Sequence, residues 1–213
     1  MDILYYEIVE SFVPDKCIIC MLKNKAMNKF FDDFLYESVN DYKLRDRIRK
    51  DWICSKHAKE LESFSDVLAH AIIYSDLLKN FNDKQLTDYY YIKKKKENKR
   101  EEKGKCIFCE QEEKFKDTYS KAFAEYFHES SEFRKSFAES GFLCIKHFRQ
   151  IIKNTNSSSS QKELISILKL KIEQIVKHLE SIKEKNDYRN IHLNYTPDET
   201  KAWHMAVEFV AGE

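Results

Sequence analysis

The cysteines of this chain fall into a pattern that leaves the fold little freedom: CIIC at 17–20, CSKH at 54–57, CIFC at 106–109 and CIKH at 144–147. A CxxC followed by a CxxH occurs twice, and all six cysteines are used. Cys17 to Cys106 and Cys20 to Cys109 are offset by 89 positions, Cys54 to Cys144 and His57 to His147 by 90, so one inserted residue separates the copies. The intervening residues keep the register: Phe30 matches Tyr119, Phe34 matches Phe123, Arg45 matches Arg134 and, after the insertion, Trp52 matches Phe142 and Lys56 matches Lys146. A duplicated unit accounts for this agreement.

Two donors three residues apart can both turn toward one ion from a tight loop or helix start. Thiolate sulfur and imidazole nitrogen suit zinc, and four such donors form a closed tetrahedral shell with no position left for a substrate water. The simplest grouping keeps each copy to itself. Cys17, Cys20, Cys54 and His57 then hold one ion, and Cys106, Cys109, Cys144 and His147 a second. The cofactor expected is zinc, two per chain; one or two iron–sulfur clusters use the same donors and remain the alternative. A redox dithiol reading of CxxC expects a βαβ context that is absent here, and leaves the paired CxxH unexplained.

Only three glycines and two prolines in 213 residues leave little of the turn chemistry that many short strands need. The expected fold is all-α. In the first copy (1–90) Ala26, Phe30 and Phe34 form an apolar stripe with Met27, Phe31 and Leu35 beside it; Leu44, Ile48 and Trp52 form a second. A third helix is expected from about His57 to 80 through Leu61, Phe64, Leu68, Ala71 and Leu78. The order is a metal knuckle, a helical hairpin and a third helix. The second copy (106–155) repeats it with Phe115, Tyr119, Ala122, Phe123 and Tyr126, then Phe133 and Phe137, then a helix from His147 that stops at NTNSSSS.

Residues 91–105 between the copies are strongly basic and read as a solvated linker, with the tyrosines at 89–91 packed. C-terminal helices at 160–213 complete the chain and are expected to pack on both copies. Ser160 and Glu163 suggest a capping box opening a helix whose seam is Ile165, Leu168, Ile172, Ile175, Leu179 and Ile182. That seam is expected to pack on the 57–80 helix or, as the alternative, to form a homodimer. Thr196, Pro197 and Glu199 mark the start of a last helix and Gly212 its stop, with Trp203, Val207 and Val210 expected to face the core and His204 its edge. His70, His128, His178 and His192 have no matched partner and read as surface or packed residues.

Lysine plus arginine (37) nearly balance aspartate plus glutamate (36), so no global field draws the chain to nucleic acid or an acidic membrane. No apolar run approaches the roughly 20 residues a spanning helix needs, and no secretory leader is evident, so the expected location is the cytoplasm. Hydrolytic chemistry needs an open metal position or an activated nucleophile, and the chain has no phosphate loop, GxSxG or HExxH. The expected function is therefore non-enzymatic: a metal-stabilised helical scaffold for a protein partner, or alternatively an electron-transfer or redox-sensing protein.

With its CxxC and distant CxxH, the DYR at 187–189 and the helix containing Trp203, the chain resembles an uncharacterised prokaryotic family, a domain of unknown function. Isoleucine stands at 18 and 107, where members of that family often carry proline inside the first CxxC. The resemblance implies a helical metal-binding protein and supplies no activity.

Overall fold

In a computed structural model the described residues are 2–79, 106–190 and 192–212. They form ten α-helices and no strand. The basic 91–105 segment and the tyrosines at 89–91 lie outside them. No described helix is long and apolar enough to cross a membrane.

The helices are α1 (Ile3–Glu10), α2 (Ile18–Tyr36), α3 (Tyr42–Asp51), α4 (Ser55–Glu62), α5 (Val67–Lys79), α6 (Ile107–Glu129), α7 (Ser131–Ser140), α8 (Ile145–Asn154), α9 (Ser158–Lys185) and α10 (Pro197–Ala211). The chain divides into two compact units, one of Met1–Lys25 with Phe115–Glu213 and one of Ala26–Lys114. Both boundaries fall inside helices, within α2 and within α6.

The Ala26–Lys114 unit is built around phenylalanine. Phe31, Phe34 and Phe108 are fully buried, with the Phe108 ring 5.1 Å from Phe31 and 5.0 Å from Phe34. Each such ring removes enough apolar surface from water to contribute about 1.5–3 kcal/mol. Asp41 caps α3 by accepting from the Lys43 N–H. Arg45 on α3 pairs with Asp76 on α5 at 3.5 Å.

The helix expected over 57–80 is broken. The Ser63 hydroxyl donates to the Glu60 carbonyl, and Asp66 accepts from the Ala69 N–H to start α5. This restart changes the helical phase: Ala69, Ile73 and Leu77 are buried, whereas Leu68, Ala71 and Leu78 are exposed.

In the other unit Tyr5 and Ile8 of α1 enter a core of Phe123, Phe127, Phe133 and Phe137. Arg134 donates to the carbonyls of Phe127 and His128, satisfying the end of α6. Helix α9 begins earlier than expected, capped by Ser157, and Ser160 is a buried helical residue 3.1 Å from His128 rather than a cap. Gln161 meanwhile donates to the carbonyls of Ile152 and Thr155 at the end of α8. Along α9, Leu164, Leu168 and Ile175 are buried and Ile165 is largely exposed. Its most extensive partner is α10.

Helix α10 has the Thr196/Glu199 capping box with Pro197 in its first turn, as expected, but not the expected face. Glu199 is buried because its carboxylate also accepts from Ser181 and Lys185 of α9. With Glu199 turned inward, helical spacing carries Ala202, Ala206 and Phe209 in after it. Phe209 packs on Phe142 at 6.4 Å. Trp203, Val207 and Val210, expected in the core, are 51%, 56% and 69% exposed. A charged residue sets the rotation of this helix.

Candidate metal centres

The eight donors come together in two groups, and the grouping crosses the sequence copies. Cys17, Cys20, Cys144 and His147 form the first centre; Cys54, His57, Cys106 and Cys109 form the second, the donor atoms of each lying within 4.8 Å of one another. Each centre lies inside one compact unit. The expectation that Cys17 and Cys20 join Cys54 and His57 is therefore corrected.

Helix length explains the crossing. At a rise of about 1.5 Å per residue, the part of α2 that follows Cys20, out to Tyr36, spans about 24 Å, whereas the 10 residues of α3 span only about 15 Å. The 23-residue α6 and 10-residue α7 repeat the mismatch. A short helix after a long one does not return the chain over the length that the long one covers.

Local structure prepares every half-site. Cys54 is the N-cap of α4 and Cys144 the N-cap of α8, placing His57 and His147 in the first helical turn. Cys17 and Cys106 immediately precede α2 and α6. Helix N-termini carry partial positive charge that favours thiolates. In the first centre the Ile18 N–H donates to the Phe142 carbonyl at 3.1 Å, tying the two half-sites through backbone.

The two chain reversals that lead into the CxxH motifs differ. Trp52 ends α3 at φ 61°, a left-handed conformation that costs a non-glycine residue about 1–3 kcal/mol. At the end of α7 the inserted residue gives the chain room to turn at Gly141, whose φ of −85° is ordinary. Glycine is needed there for space: a Cβ would lie 2.1 Å from the Phe137 ring.

In both centres the imidazole presents Nδ1 to sulfur. His147 Nδ1 lies 3.4, 3.3 and 3.2 Å from the sulfurs of Cys17, Cys20 and Cys144. His57 Nδ1 lies 3.1, 3.3 and 3.9 Å from those of Cys54, Cys109 and Cys106. Sulfur pairs are 3.9 Å apart for Cys20 and Cys144, and 3.6 Å for Cys54 and Cys109.

The surroundings of the centres differ. All four donors of the first are buried, and α10 closes over them. The Cys17 N–H donates to Glu208 Oε1 at 3.0 Å, and Gly212, at φ 61°, lies so close that a Cβ there would meet Cys144 Sγ at 2.7 Å. In the second centre Cys54 and Cys109 are half-buried. Here the buried Nε2 of His57 lies 3.4 Å from Glu112 and 3.7 Å from Glu60 without hydrogen-bonding either, and Lys56 Nζ donates to Glu112 at 2.8 Å. A carboxylate that accepts from a ligating imidazole fixes its tautomer and orientation, and Glu112 is the nearer of the two carboxylates placed beside that nitrogen.

The thiols of each centre share protons in the absence of an ion. Burial pushes Cys17 well up, and burial with the neighbouring Cys54 pushes Cys109 up to about 12. Hydrogen bonds from the Cys17 and Cys20 thiols hold Cys144 far below the usual thiol range. At Cys106, burial pushes upward, but the hydrogen bond with His57 and backbone donors outweigh it. Binding a cation at either centre must therefore expel thiol protons, which makes affinity rise with pH.

All eight donors read from the sequence are brought into a centre. Glu112, Glu208 and Gly212 had no sequence signal: a glutamate three residues after CxxC and a glycine after a helix are both common for other reasons. Lys56 pairs with Glu112, whereas its counterpart in the second copy, Lys146, is exposed. The remaining histidines stay outside the centres, His70 bonding to the Phe64 carbonyl and His204 lying tilted against the Trp203 ring.

No solved structure matches the chain. An uncharacterised 23.9 kDa protein in the xynA 3′ region of Caldicellulosiruptor sp. (strain Rt8B.4) is 58% identical over 204 residues, which is 96% of this chain and 98% of that one. A family of unknown function, DUF6062, matches residues 2–212, and the chain belongs to that family.

Proposed function

We propose that the chain is a non-enzymatic zinc protein in which each Cys₃His shell holds one ion as a structural clamp, and that the helical scaffold so fixed serves protein interaction. The observation that carries the zinc reading is the donor spacing. A zinc–sulfur bond of about 2.3 Å implies a tetrahedral sulfur–sulfur edge of about 3.8 Å, and a zinc–nitrogen bond of about 2.0–2.1 Å implies a sulfur–nitrogen edge near 3.6 Å. The separations here are 3.6–3.9 Å between sulfurs and 3.1–3.9 Å from sulfur to nitrogen. Donors sharing one ion sit at such distances. Donors of an iron–sulfur cluster are spread over several irons and lie farther apart than the 4.8 Å within which each set converges.

The clamp role is supported by what the donors join, since each shell ties the start of a long helix to the start of a short one. Four protein donors leave no open coordination position, which disfavours metal catalysis. An interaction role draws support from Trp203, Val207 and Val210, which form an exposed apolar stripe on α10. Metal analysis and a visible spectrum after anaerobic purification test the zinc reading. Colourless protein with two zinc per chain is the expected result; brown protein containing iron and acid-labile sulfide overturns it.

A further inference from the structure

We propose that the second centre is a redox-labile site whose reactant is a hydroperoxide: Cys54 and Cys109 oxidise to a disulfide and the zinc leaves, while the first centre keeps its ion. This rests on the zinc reading above and assigns the two sites different roles.

Three observations lead there. The first is access. Cys17, Cys20 and Cys144 are fully buried beneath the end of α10, whereas Cys54 and Cys109 are only half-buried. Zinc-bound thiolates are already ionised, so a small oxidant that can touch them needs no further activation, and access becomes the deciding factor. The second is pairing. The two half-buried cysteines are the ones whose sulfurs lie 3.6 Å apart, so closure to a disulfide at about 2.05 Å requires an approach of about 1.5 Å. The third is local freedom. Cys54 ends a short irregular segment, 52–54, between α3 and α4, and its entry residue Trp52 holds a left-handed turn that movement can relax. In the first centre, Gly212 leaves no comparable space beside Cys144.

The chemistry balances as follows. One thiolate of the pair attacks a peroxide oxygen; an S–O bond forms, the O–O bond breaks, and the departing alkoxide or hydroxide takes a proton. The other thiolate attacks the sulfenyl sulfur; the S–S bond forms, the S–O bond breaks, and the departing hydroxide is protonated to water. In sum two thiolates, one hydroperoxide and two protons give one disulfide, one alcohol (water, when the oxidant is hydrogen peroxide) and one water. The sulfurs lose two electrons and the peroxide gains them. Only Cys106 and His57 remain to the ion, too few for a closed shell, and it departs. The start of α4 is then no longer clamped to the start of α6.

The experiment uses the full chain as purified, with its zinc measured before any oxidant is added. Fewer than two zinc ions at that point sinks the zinc reading itself. With two present, stepwise hydrogen peroxide is expected to release one zinc to a chromogenic chelator and to consume two of the six thiols. Peptide mapping is expected to place the disulfide between Cys54 and Cys109. The second ion is expected to follow at least about tenfold more slowly. Release of both ions at one rate, a disulfide among Cys17, Cys20 and Cys144, or retention of both ions with all thiols intact under excess peroxide each overturns the redox proposal and leaves the zinc count standing.

Discussion

At the first centre all donors are buried and backbone lies against sulfur; at the second, two of the three cysteines are only half-buried and a carboxylate stands behind the imidazole. The donor types and helix starts are the same, so what separates the centres comes from residues beyond the motifs. After CxxC, the third residue is Lys23 in one case and Glu112 in the other, both buried. After CxxH, α8 leads by way of α9 to α10, whose end lies against the first centre, whereas α4 leads to α5. Identical ligand chemistry can thus serve one site that closes a core and another that remains approachable.

The largest effects follow from removing a ligand. His147→Ala takes away a donor and opens a fully buried cluster; His57→Ala does the same at a site two of whose cysteines are only half-buried. Structural zinc binding contributes on the order of 10 kcal/mol where folding depends on it. His147→Ala is expected to lose one zinc and lower Tm by at least about 10 °C, at roughly 2–4 °C per kcal/mol for a chain of this size. His57→Ala is expected to lose one zinc with a smaller fall. Thermal unfolding paired with metal analysis decides this, and equal shifts for the two variants erase the proposed asymmetry.

Gly212→Val comes next. It places a Cβ 2.7 Å from Cys144 Sγ and forces a β-branched residue to φ 61°, a combination expected to cost about 1–3 kcal/mol. Zinc is expected to leave the first centre faster in a chelator challenge while the second centre keeps its wild-type rate. If both rates stay as they are, α10 does not seal the first centre.

The second centre has its own counterpart. Glu112→Gln removes the charge facing His57 Nε2 and the partner of Lys56, and outer-shell changes of this kind typically cost about 10- to 100-fold in metal affinity. Competition with a chelator of known affinity is expected to show that loss at one site of two. An unchanged affinity means that Glu112 does not support the imidazole.

How much of this could be read from the sequence depends on what kind of information each feature carries. The all-helical class and the eight donors were legible because spacing alone encodes them: Phe31, Phe34, Phe123 and Phe137 are buried as their periodicity requires. The grouping of donors was not read correctly, although its cause was present in the unequal lengths of the segments before and after each hairpin. The faces of α5 and α10 were misread because a single polar contact resets helical phase. Asp66 does so by restarting α5, and Glu199 by being drawn inward to Lys185. Which polar residue becomes buried depends on partners far away in sequence, and no local pattern announces it.

Glu199 gives the smallest effect and the most selective one. Lys185, the Thr196 N–H and Ser181 hold its carboxyl at about 2, below the usual 4.5. A depressed carboxylate contributes stability that is fully present above its unfolded pKa and lost as pH falls through the folded value, so this contribution fades between about pH 4.5 and 2. The contact fixes α10 on α9, and α10 carries Glu208 and Gly212 onto the first centre. Glu199→Gln removes the charge at every pH, so at neutral pH it is expected to quicken zinc loss from the first centre a few-fold and leave the second unchanged. Unfolding midpoints of the wild-type and variant apo-proteins are expected to converge as pH is lowered from 5 to 2, because acid then removes from the wild type what the substitution has already removed. A gap that persists at pH 2 means that packing rather than charge holds α10, and the first centre then owes its cover to Phe209 and Ala202 instead.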